Sequence, residues 1–155
     1  DQGKDGNIFP FFIMKSIENW INRLDRYGIC PFAKKSKRLI IEGNISNLEQ
    51  CINSWDNTYE IIIFVYNSYV NVDYAEAVEK KLNNIRADVL VLLDHFEFPG
   101  YIEENSTCND SGHIVYLLQN KKKLMAARKY LHTTNYYDNW TAEYYEQVVK
   151  DTNDL

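Results

Sequence analysis

Glycine is scarce in this chain, six among 155 residues. No glycine-rich loop is present to cradle phosphates, and Ser111 does not sit in a nucleophile-elbow pattern, which argues against nucleotide chemistry and against a serine hydrolase. Cysteine is scarce too: three residues, an odd number with no paired spacing, make no disulfide framework and point to a reducing, cytoplasmic setting. Positive charge is in deficit, 17 Lys and Arg against 22 Asp and Glu, for a net −5. A chain without basic excess cannot release counterions from a polyphosphate, so nucleic acid and anionic membranes are excluded as principal partners. The short clusters at Lys34 to Arg38 and Lys121 to Lys123 read as solvated helix ends. No apolar run approaches membrane-spanning length, and Ile8 to Ile13 lacks the basic leader and small-residue cleavage site of a signal peptide. Met14-Lys15-Ser16 has the look of a start, so one domain is expected over 14–150, with 1–13 a non-native or disordered leader.

What is present is a 45% hydrophobic content, enough for one real core. Ser16 is expected to cap a helix bearing Ile17, Trp20, Ile21 and Leu24 on one face. Arg38 to Glu42 reads as a strand stopped by Gly43-Asn44. Ser46 and Glu49 have capping-box spacing for a short helix with Leu48, Cys51, Ile52 and Trp55. Tyr59 to Tyr66, continuously β-branched and aromatic, predicts a central strand buried on both faces. Asp73 is positioned to cap a helix to about Arg86, with Ala77, Val78 and Leu82 inward. Asp88 to Leu93 predicts a second buried strand. After an acidic loop over 94–112 come the strand Ile114 to Leu118, a helix from Lys121 to Leu131 and a closing helix from Thr141 to Val149. The expected fold is a single α/β domain, order α-β-α-β-α-β-β-α-α, with a mainly parallel sheet and helices on its faces. Without its outer helices this is also the thioredoxin order, although the prolines, Pro10, Pro31 and Pro99, do not supply the cis-proline of those enzymes.

Two places carry chemistry. In Gly28-Ile29-Cys30-Pro31-Phe32-Ala33 the glycine ends one helix and Pro31 suits the first turn of the next, making Cys30 an N-cap. A thiolate there feels the positive helix end and Lys34, Lys35, Lys37 and Arg38, which lowers its pKa and makes it a nucleophile or metal ligand. The second place is His95, directly after the strand over 89–93, at the sheet edge where ligands bind in open parallel sheets. Cys30 as nucleophile with His95 as base is the minimal catalytic pair. Cys30, His95, Cys108 and His113 form a candidate set for a divalent metal. Phe32, Lys34, Asn105, Ser111 and Tyr116 are the candidate binding residues. An enzyme built on Cys30 and His95 is thus the expected function. The alternative is a noncatalytic binding or assembly protein that uses the acidic loop and the aromatic C-terminus of Tyr130, His132, Tyr136, Tyr137, Trp140, Tyr144 and Tyr145.

The chain resembles the family called domain of unknown function 1415, found in bacteria and plastids. Trp20-Ile21 followed by Cys30-Pro31-Phe32-Ala33-Lys34 is similar to that family's Trp-Leu and Cys-Pro-Phe-Ala signature at like separation. The strand Ile61 to Val65, the helix with Asp73 and Ala77, His95 with Phe96 and Phe98, and the loop with Asn105 and Ser111 follow in the same order. The chain departs from the family in having His95-Phe96 in place of His-Pro, and Ser111-Gly112-His113 in place of a proline-rich turn. The resemblance implies positions and not a reaction.

Overall fold

The computed structural model describes residues 11–26, 37–97, 111–138, 140–146 and 149. In chain order these form α1 (Phe11–Arg26), β1 (Arg38–Gly43), α2 (Ile45–Asn53), β2 (Ile61–Tyr66), α3 (Val72–Leu82), β3 (Val89–His95), β4 (Ile114–Asn120), α4 (Lys121–Leu131) and α5 (Ala142–Tyr145). The expected α/β class and alternation hold.

The sheet is mixed rather than mainly parallel, with strand order β1-β2-β4-β3. β1 and β2 pair in parallel, while β4 is antiparallel to both β2 and β3. The helical crossovers do make β1, β2 and β3 run the same way. The return strand β4 then inserts between β2 and β3, so only one of the three pairings is parallel. β2 is interior, as its continuous apolar run requires, with Ile62 to Val65 all buried.

Side-chain alternation sorts the core into two layers. On one face Ile62, Phe64, Val89, Val91, Leu93, Ile114, Tyr116 and Leu118 pack with Leu48 and Ile52 of α2 and Ala75 and Leu82 of α3. On the other, Ile40, Ile63, Val65 and Val115 meet Ile17, Trp20 and Ile21 of α1. Three of the four residues expected on the inward stripe of α1 are therefore buried, while the side chain of the fourth, Leu24, lies outside the described residues. The stripe of α3 is shifted, for Ala75 is buried and Ala77 exposed.

Helix starts differ from the sequence expectation. Ser16 lies inside α1, which begins at Phe11, before Met14, and its hydroxyl donates to Ser111 O at 2.9 Å. The cap of α2 is Asn44, not Ser46: Asn44 Oδ1 accepts from Asn47 N–H while Asn47 Oδ1 accepts from Asn44 N–H. Asn71 caps α3, leaving Asp73 in the first turn, and Asn120 caps α4. Gly43 makes the capping box possible, because a Cβ there would stand 2.7 Å from Asn47 Oδ1.

Although β3 is an edge of the described sheet, its outward groups are covered. Asn83 of α3 donates through Nδ2 to Val91 O and accepts from Val91 N–H, both at 2.8 Å, and Glu79 accepts from Leu93 N–H. A side-chain amide thus stands in for a neighbouring strand.

Candidate functional site

The carboxyl ends of β1, β2 and β3 and the amino end of β4 meet around a cleft of about 300 Å³. Its lining includes Glu42, Tyr66, Asn67, Ser68, Tyr69, Phe96, Gly112 and His113. Glu42 alternates with Ile40 and His113 with Val115, so both side chains project to the α1 side of the sheet. Gly112 turns the chain into β4 with φ +77°, a conformation that disfavours any side chain.

Among the described lining residues Glu42 supplies a carboxylate and His113 an imidazole. Oε2 of Glu42 is buried and has no hydrogen-bond partner. Burial pushes the His113 imidazole below its ordinary pKa of 6.5, and the Glu42 carboxylate opposes that shift without overcoming it. His113 is accordingly neutral near pH 7 and able to accept a proton. Ser111 is buried beside it, its hydroxyl accepting from His113 N–H at 3.2 Å.

Part of the lining is aromatic. Tyr69 and Phe96 lie 6.2 Å apart between ring centroids, and both are exposed, 58% and 37%. Tyr69 donates its hydroxyl to Glu97 Oε1, which ties the segment after β2 to the turn after β3 and raises the phenol pKa.

His95 belongs to β3 and not to the loop after it, and it is 1% exposed. Its Nε2–H donates to Val70 O at 2.8 Å and its Nδ1 accepts from Glu97 N–H at 3.0 Å. Those bonds place the ring N–H on Nε2 and occupy both nitrogens. Phe96 stacks on the ring at 5.0 Å. His95 thus supports the cleft from behind: its side chain shares a face with Leu93, on the opposite side of the sheet from His113. Sequence spacing alone brought these two histidines into one metal set; the pleat of the hairpin separates them. Among the described residues no group of three or more His, Cys, Asp or Glu is arranged to hold a metal ion.

Tyr116 is fully buried, with its hydroxyl donating to Ala75 O at 3.0 Å, and burial drives its pKa far upward. It braces β4 against α3 inside the core. Cys30, Phe32, Lys34, Asn105 and Cys108 lie outside the described residues. Cys51 is half-buried on α2, its thiol pKa raised by desolvation, the opposite of an activated cysteine.

In the C-terminal aromatic segment the rings satisfy one another. Tyr137 packs against His132, Tyr136, Trp140 and Tyr145 with centroids 4.6 to 5.4 Å away. His132 donates from Nδ1 to Arg128 O and accepts the Tyr145 hydroxyl at Nε2, both at 2.6 Å.

Sequence reasoning passed over Glu42 as a strand-ending acid. Its signal was position: the last side chain before the Gly43-Asn44 stop of a parallel strand, where clefts form. Among the described residues no helix is long and apolar enough to cross a membrane. Compared with known proteins, the chain matches no protein-family model, no curated protein and no solved structure.

Proposed function

We propose that this protein is a small-molecule enzyme working by proton transfer in the cleft at the strand ends, with His113 as the proton acceptor and Glu42 as the carboxylate that stabilises the imidazolium formed. The observation that carries this reading is the buried, unpartnered oxygen of Glu42, a residue that lines a cleft shared with a neutral imidazole. Leaving such an acceptor unsatisfied costs about 1–3 kcal/mol or more, a cost that clusters at functional sites. A neutral histidine sharing a cleft with a carboxylate suits a general base near pH 7.

Thiolate or divalent-metal chemistry at Cys30 is the competing proposal and rests on the capped-cysteine motif. Kinship with the domain of unknown function 1415 family is likewise a proposal, carried by Trp20-Ile21 and the Cys-Pro-Phe-Ala string. The two enzymatic readings separate by variant. In a turnover screen of small substrates, His113→Gln should lose about 100-fold or more of any activity found, as expected for a general base, with Cys30→Ser near wild type. Loss in Cys30→Ser with His113→Gln intact, or metal retained by wild type and lost in Cys30→Ser, would transfer the site to Cys30.

A further inference from the structure

The chemistry of the cleft walls narrows what can enter. Among the described lining residues Glu42 is the only acid, and there is no lysine or arginine. His113 contributes no positive charge near neutral pH. The field inside is therefore negative, and the chain's net −5 reinforces it. A phosphate or carboxylate entering this space would meet like charge, with no lysine or arginine among the described lining residues to offset it.

The aromatic wall favours the opposite sign. Cations are drawn to the faces of tyrosine and phenylalanine rings. Phe96 rests on the His95 ring and is still 37% exposed, and Tyr69 is held by its bond to Glu97. Both rings thus have partners outside the space they border. Glu42 lines the cleft with a carboxylate, and an ammonium group carries three donors. Val65, Tyr66 and Ile114 supply apolar contact for a hydrocarbon arm. An inorganic divalent cation is less suited, since it needs several oxygen or nitrogen ligands and the described residues offer no such group.

Resting on the reading of this cleft as the working site, we propose that its ligand is a small organic cation, a primary ammonium group on an aromatic or apolar arm, held between Glu42 and the Tyr69–Phe96 wall. Benzylamine, benzyl alcohol and benzoate share one ring and differ in charge, so they isolate the claim. Titrated into the full chain at pH 7 and followed by amide chemical shifts, benzylamine should bind at least about tenfold more tightly than benzyl alcohol, and benzoate not measurably. The shifts should centre on Asn67, Tyr69, Phe96 and His113. Glu42→Gln should reduce benzylamine to the affinity of the alcohol. Tyr69→Leu, at an exposed position whose change leaves the core intact, should weaken benzylamine by about threefold or more and spare the alcohol, in line with a surface cation–π contact. Equal binding of amine and alcohol, preference for benzoate, or a preference that survives Glu42→Gln would overturn the cation assignment and leave the cleft as a site. No shift at the cleft with any of the three would overturn both.

Discussion

His113 illustrates how a single side chain links stability to pH. Its folded pKa lies below the unfolded value, so neutral His113 contributes to stability fully above about pH 6.5, and that contribution fades as pH falls through the folded pKa. Urea midpoints of wild type should therefore drop more between pH 7 and 5 than those of His113→Gln. In Glu42→Gln the imidazole should titrate lower still, because the carboxylate that favours its protonation is gone; an NMR titration showing no change would mean the two groups do not face each other. Tyr116 gives a simpler expectation. Tyr116→Phe removes one bond and leaves Ala75 O without its donor, so unfolding free energy should fall by about 1–3 kcal/mol by denaturant titration. At this scale the sequence was informative about position and silent about partners. It put His95 at a strand end, but nothing in the letters says that Val70 O and the Glu97 amide take both ring nitrogens. Such bonds come from segments 25 residues apart in one case and two in the other.

Elements were legible wherever an apolar pattern exceeds one turn. The buried run of β2 and the Ile17, Trp20, Ile21 stripe of α1 are dictated by burial and were read from spacing alone. Caps were harder, because Asn44 and Asn47 have the same spacing as Ser46 and Glu49 and the choice depends on where β1 ends. Once β1 ends at Gly43, α2 starts immediately and Asn44 is the residue left to cap it. The clasp of Asn83 on Val91 had no sequence signature, since the expected helix ran on to about Arg86 and held Asn83 inside it, whereas α3 ends at Leu82. Asn83→Ala should cost about 1–3 kcal/mol, from three lost side-chain bonds, two of which cover the backbone groups of Val91. It should also expose the outer side of β3, measurable as concentration-dependent association by light scattering.

For the whole molecule, class and element order were predictable from the alternation of periods, whereas the sheet order was not. A helical crossover fixes that β2 and β3 share a direction and leaves open whether they touch. Insertion of β4 between them decides where the cleft lies, for His113 at its start is what brings an imidazole beside the end of β1. It also sets β3 apart from the rest: in the sheet it is joined only through β4. A chain truncated after residue 113 should consequently lose cooperative unfolding, seen as a broadened denaturant transition, even though it retains three strands and the helices between them.

The same insertion imposes an order on synthesis. As the chain leaves the ribosome, everything through β3 emerges without the wedge that unites it. The nascent protein must hold β2 and β3 apart, with their inner edges bare, until residue 120 is free. That interval is where a chaperone would have most to protect.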